Sequence, residues 1–413
     1  MKIIELHGDF ESRSPFAPKD IGLHNYIFHP ETEPLFFWFN IDAAGYQCWH
    51  IWEDSGFANR DWKNLCVPQD LCEALHDPDV FIIAFNSAFE RYMLQKLGFD
   101  IPASRFIDPQ VGGRYLSLPA SLEVQGQVLG LPPSLQKDSR GGDLIDLFSK
   151  KVITKATKKK VAAEYYNDWN SHPKEWADFL EYGRKDVVAE GELLRRMRLL
   201  QAMPLPEFEQ KLWLLDQTIN DRGMPVDIDF VKKMYALAIR AKDEAKKNFE
   251  KMTGVANANS PTQIKAWAKT QGYPFATLKK DTVNSVLKDP DVKLTELCRK
   301  ALKLRAEAAS TSYQKLGKII ECVSPDGRLR NQFIFLGASR CGRWSGSAVQ
   351  LQNMARPLPP KDLNGHDFED QKTVREARDM VKREDYEGLK EKYGSVLLVV
   401  KSLIRTVFSV EQV

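Results

Sequence analysis

The stretch DVFIIAFNSAFERYMLQKLGF, Asp79 to Phe99, limits the possible folds more than any other. Its first half is an apolar run of strand length, which reads as a buried strand. Its second half carries apolar residues at helical spacing, so that strand feeds directly into a helix. A buried strand needs neighbours. KIIEL at the N-terminus reads as one, and NYIFH, PLFFWFNI and QCWHIW are aromatic and β-branched runs separated by turns rich in Pro, Glu, Asp and Gly. HPKEWADFLEYGRKDVVAEGELLRRMRLLQ reads as a long amphipathic helix that Pro204 and Pro206 interrupt. Residues 1–203 are therefore expected to form one α/β domain around a mixed sheet.

The pattern then changes. EFEQKLWLLDQTINDRG is a helix stopped by Gly223, and a second helix starts after Pro225 and ends at Gly254. Ser260–Pro261 is a cap followed by proline at the first helical position. DTVNSVLKD and LTELCRKALKLRAEAASTSYQKLGKIIEC continue the helical signal, which makes 204–330 a mostly helical block. GRLRNQFIFLG turns to strand and loop, TVREARDMVKREDYEGLKEKYG is helical again, and VLLVVKSLIRTVFSVEQV is apolar and β-prone. GLPPSLQ at 130–136 reads as a loop, SKKVITKATKKK is dense in lysine, and no internal repeat appears.

Several function classes drop out. No run of 18 apolar residues is present, so no membrane partner is expected, and MKIIELHGDFE turns acidic too early for a secretory signal. The six cysteines have no CxxC or Cys/His spacing suited to zinc, and reduced thiols in the cytoplasm are the simplest reading. The net charge of +3 hides an asymmetry, about −9 over residues 1–150 against about +11 over 231–320. Such a chain suits metal ions in one place and a phosphate backbone in another, or simply a solvated lysine-rich helix face.

HGDFES, His7 to Ser12, sharpens the first possibility. On a strand, Asp9 and Glu11 share one face while Phe10 turns into the core. Glu90 opens the helix after the buried strand, and Tyr182 and Asp186 lie four apart on one helix face. Each feature is commonplace alone. Together they supply four carboxylates and a phenol, the hard oxygen donors that magnesium or manganese prefers. Two such ions about 4 Å apart can clamp both oxygens of a phosphodiester during in-line displacement. His7 reads as a core or rim residue rather than a ligand.

In this order and spacing, HGDFES, FNSAFE and YGRKD resemble the three exonuclease motifs of the 3′–5′ proofreading domain of family A DNA polymerases. That resemblance implies a ribonuclease-H-like fold of the DEDDy type for residues 1–203. It implies two divalent metal ions (Mg2+ or Mn2+) held by Asp9, Glu11, Glu90 and Asp186, with Tyr182 orienting water. Asn86 and Phe89 would meet the single-stranded 3′ end. Glu90 stands where the family normally has Asp. INDRGMPVD, NANSPTQIKAW and RAEAASTSYQKL are similar to thumb segments, and GASRCGRWSGSAVQLQNMARP (337–357) resembles the signature ahead of the first polymerase metal motif, with Cys341 in place of threonine. By that match Lys315, Arg343, Ser345, Gln350, Gln352 and Asn353 would bind primer–template DNA. Residues 204–330 would be thumb and palm-entry helices, and 331–413 the start of an incomplete α+β palm. No DYS-type strand, fingers helix or HDE-type hairpin is present. The expectation is thus a proofreading exonuclease and DNA-binding portion of a phage-type polymerase in the host cytoplasm, split or truncated. A second chain with fingers and palm would be its partner. The alternative is a nuclease-silent DNA-binding scaffold. The apolar end is expected to leave an unpaired surface.

Overall fold

The computed structural model describes residues 4–54, 65–135, 141–154, 163–255, 257, 260–308 and 313–408. Parts of six segments singled out above lie outside these: the start of KIIEL, the end of GLPPSLQ and of the lysine-dense stretch, residues within NANSPTQIKAW and RAEAASTSYQKL, and the final SVEQV. The chain packs as two units, Met1–Gly223 with Arg328–Gln352, and Met224–Gly327 with Asn353–Val413.

The first unit is built on a five-stranded mixed sheet. Its strands are β1 (Ile4–Arg13), β2 (Glu33–Ile41), β3 (Tyr46–Trp49), β4 (Val80–Ile83) and β5 (Phe106–Ile107), in the order β3-β2-β1-β4-β5. β1 is central, antiparallel to β2 and parallel to β4. Alternation turns Leu6 and Phe10 into a core with Phe37, Phe39, Ile82 and Ile83. Gly8 lies under Phe37, where a Cβ would stand 2.1 Å from the ring. His7, Asp9 and Glu11 are left for the opposite face.

The helices of this unit include α1 (Ala88–Lys96), α2 (Pro109–Tyr115), α3 (Gly141–Ser149), α4 (Pro173–Leu199) and α5 (Glu207–Arg222). A second core of Leu35, Phe36, Trp52, Leu144, Phe148, Trp176, Phe179 and Tyr182 joins β2 to α3 and α4. The hairpin Phe333–Ala338/Arg343–Gly346 packs on α5, where the Asn220 amide donates to the Phe333 carbonyl at 3.0 Å and accepts from its N–H at 3.0 Å.

Two strand expectations are corrected. NYIFH lies in a short helix, Leu23–Phe28, because β1 and β2 pair directly with each other and leave no edge between them. In QCWHIW only the first half is strand, since a helical turn starts at Ile51.

The second unit centres on a helix, Ile228–Thr253, capped by Asp227 and ended by Gly254 in the left-handed region. Ser260 caps Pro261–Thr270 as expected. The apolar end is also corrected. Val396–Leu403 is a helix capped by Ser395, and Val396, Val399, Val400, Leu403, Ile404 and Val407 are buried. Apolar residues three and four apart form a helical stripe, which packs on the 228–253 helix. Branched side chains at those positions favour a strand only where a sheet edge is on offer.

Candidate active site

The site follows from a coincidence of steps. Two residues of a strand advance about 6.7 Å and four residues of a helix about 6 Å, so a strand face and a helix face can stay in register over several side chains. β1 presents His7, Asp9 and Glu11, and α4 presents Glu190, Asp186 and Tyr182 in the opposite sense. His7 Nδ1 lies 3.3 Å from Glu190 Oε1. At the other end Tyr182, only 1% exposed, is pushed far above the ordinary phenol range. Burial is the main cause, followed by the negative charges of Glu11, Asp186 and Asp9 and a hydrogen bond to Asp186. Gly141 at the start of α3 gives the Tyr182 ring its room, because a Cβ there would sit 2.0 Å from the ring.

Glu90 reaches the same strand from another side. β4 pairs with β1 only as far as His7, so the backbone beyond lacks a strand partner on that edge. There the Glu90 carboxylate accepts from the Phe10 N–H. Glu90 is 3% exposed, and its Oε2 is buried with no hydrogen-bond partner. Burial raises its carboxyl well above the usual range, and the charges of Glu190 and Asp108 add to that. Hard oxygen donors under mutual repulsion fit a cation in chemistry. In spacing they are not assembled, since among the described residues no three His, Cys, Asp or Glu side chains form a metal-holding group.

Glu190 and Asp108 escaped the sequence reading, and His7, read there as a core or rim residue, supports the site with them. Glu190 is buried and accepts from the Phe85 N–H at 2.7 Å, tying α4 to the end of β4. Burial pushes it up to about 7 against the pull of His7. Burial would lower His7, but hydrogen bonds to Glu190 and Glu5 outweigh it and raise the imidazole to about 9. Asp108 accepts from Asn86 N at 3.0 Å, Ser87 N at 2.9 Å, Ser87 Oγ at 3.1 Å and Gln110 N at 2.9 Å. It thereby holds Asn86 in the left-handed region (φ 69°) and caps α2. The signals were present: Glu190 lies eight residues after Tyr182 on the same helix face, and Asp108-Pro109 is a helix start. Asp108→Ala should lower stability by about 1–3 kcal/mol, seen as a lower midpoint of thermal unfolding.

Asn86 is exposed, and Phe89 is half-buried against Tyr26 at 6.2 Å between ring centroids. The residues expected from the resemblance to meet DNA divide between the units. Arg343, Ser345, Gln350 and Gln352 lie on or just after the hairpin of the first unit. Gly337 and Gly346 permit close approach there, since a Cβ would stand 2.1 Å from Ser345 Oγ and 2.3 Å from Gln352 Oε1. In the second unit Lys315 Nζ donates to the Asn353 carbonyl at 3.1 Å.

No protein-family model matches the chain. A DNA polymerase of Bacillus phage SP02 is 33% identical over 410 residues, 99% of this chain and 58% of that protein. The chain thus spans less than two thirds of that relative's length. The POL domain of Pol1 from M. smegmatis, solved in complex with DNA primer-template and dNTP, superposes with a TM-score of 0.52 at 12% identity, covering 86% of this chain and 53% of the other. That second likeness is one of fold. Over nearly its whole length the chain is thus similar in sequence to part of a phage DNA polymerase, and in fold to part of a Pol1 POL domain.

Proposed function

We propose that this chain is the 3′–5′ exonuclease and primer–template-binding part of its polymerase, with a ribonuclease-H-like first unit. One observation carries the reading: a buried tyrosine lies among Asp9, Glu11 and Asp186, with Glu90 anchored on the same strand. The five-stranded sheet with the acidic pair on its central strand supports it. Because its pKa is raised, the Tyr182 phenol keeps its proton at neutral pH and donates to Asp186. Its oxygen is then an acceptor that orients the attacking water, with Glu11 alongside, and it is not itself the base. Asp9, Glu11, Glu90 and Asp186 would hold two divalent cations, magnesium or manganese, which neutralise charge at the scissile phosphate. Arg343, Ser345, Gln350 and Gln352 on the first unit, with Lys315 and Asn353 on the second, are the proposed contacts to primer–template DNA. Asn86 and Phe89 are the proposed contacts to the single-stranded 3′ end.

Nucleotide addition needs a fingers helix and palm carboxylates that are not among these 413 residues. In this proposal they come from elsewhere in the polymerase, on the same or a second chain. Among the described residues no helix is long and apolar enough to cross a membrane, and the host cytoplasm is the proposed location. A second reading, a nuclease-silent scaffold, is favoured by the lack of a ready metal-holding group among the described residues. One assay separates the two. Single-stranded DNA labelled at its 5′ end should shorten stepwise with magnesium or manganese, and chelator should abolish the shortening. Intact DNA together with retarded primer–template would select the scaffold.

A further inference from the structure

The first unit contains a polar cleft of about 160 Å3 whose buried Asp216 and Asn331 have no part in the proposed hydrolysis. It lies among the turn before α1, the helices α2 and α5, and the hairpin. Asp216 lines it and is 2% exposed. Its Oδ2 accepts from Asn220 at 3.1 Å and Gln217 at 3.2 Å, while its Oδ1 is buried with no hydrogen-bond partner. Asn331 lines the same cleft. Its amide donates to the Tyr92 hydroxyl at 3.2 Å, and its Oδ1 is likewise buried without a partner. Buried acceptors left unpaired are costly, so two of them at one cleft imply a donor that the protein does not supply.

We infer that this cleft binds a nucleobase carrying an exocyclic amino group. A cation is disfavoured because Arg114 also lines the cleft and bears charge interactions with both Asp108 and Asp216. The volume far exceeds one water's share of about 30 Å3. The walls include Trp213, Phe333 and Phe335, flat faces that suit a planar ring. An amino-bearing base brings two N–H groups to the two orphan oxygens, whereas thymine has a single ring N–H. Arg114 matches a ring nitrogen or carbonyl on the same edge. The exposed Asn86 also lines the cleft, which gives an unpaired base a way in from the strand.

The test uses the full chain in chelator and the four deoxynucleosides, followed by saturation-transfer NMR and titration. Deoxyadenosine, deoxycytidine or deoxyguanosine should bind at least about tenfold more tightly than thymidine. Asp216→Asn keeps an acceptor for Asn220 and Gln217 but turns an N–H2 toward the cleft, so it should reverse that order. If Asp216→Asn fails to fold, Asn331→Leu should weaken the amino-bearing bases about tenfold. Equal binding of all four, no binding, or an order unchanged in the folded variants would overturn the inference. Asp9→Ala should leave base binding intact. Base binding without hydrolysis would therefore sink only the proposed nuclease, and hydrolysis without base binding only this site.

Discussion

Asp9→Ala and Asp186→Asn should each lower removal of nucleotides from a single-stranded 3′ end by at least about 10²-fold, and Tyr182→Phe, which removes only positioning of the water, by about 10²-fold. The reason lies in the crowding of charge. Tyr182 is held high by burial and by Glu11, Asp186 and Asp9, and that negative potential would draw cations to the scissile phosphate. Removing one carboxylate weakens the draw, and removing only the phenol oxygen leaves attacking water without its acceptor. Stability should move the other way. Like charges gathered near one another oppose folding in the absence of metal, so Asp9→Ala in chelator should melt at or above the wild-type temperature. Primer–template binding in chelator should change less than about twofold, because these side chains do not contact the duplex in this scheme. A variant that loses hydrolysis together with its fold would say nothing about chemistry, and the melting curve separates the cases. Hydrolysis that survives all three substitutions would refute the assignment.

Gly8→Val should be the most damaging single change in the first unit, at about 3 kcal/mol or more. β1 needs a glycine there because Phe37, fully buried and tilted against Phe10 at 4.2 Å between centroids, lies over the strand. An added Cβ would meet the ring at 2.1 Å, with two further ring atoms at 2.7 and 3.0 Å. Neither side can give way: β1 is the central strand, and Phe37 is held between Phe10 and Phe39. The clash also lies next to Asp9, so Gly8→Ala should reduce hydrolysis before it unfolds the chain. Phe37→Leu in the Gly8→Ala background should recover part of the stability, and a double-mutant cycle in denaturant measures the coupling. Additive effects would show that the ring is not the obstacle.

Periodicity carried much of the fold. The helices at 173–199, 207–222 and 228–253 follow from apolar spacing closed by Pro or Gly, because helix hydrogen bonds are local and their end signals lie within a turn. NYIFH and the apolar end misled for the opposite reason. A strand exists only if a distant segment offers it an edge, and β1 and β2 had already satisfied each other. The acidic pair on β1 and the Tyr-Asp pair on α4 were each visible as local patterns. Glu190 and Asp108 were not singled out, since each acts on a backbone amide more than twenty residues away.

Composition and spacing thus determined by themselves the long helices at 173–199, 207–222 and 228–253, that a buried strand precedes Glu90, and that Asp9, Glu11, Tyr182 and Asp186 sit in pairs on common faces. Only the tertiary structure decided that those faces meet. The meeting depends on a strand step of two residues matching a helix step of four, and on Gly8 and Gly141 leaving room for Phe37 and Tyr182. The same packing buries Glu90 and Asp216 with an oxygen unpaired. That is a consequence of long-range close packing, because water leaves a carboxylate oxygen only when distant parts of the chain close over it.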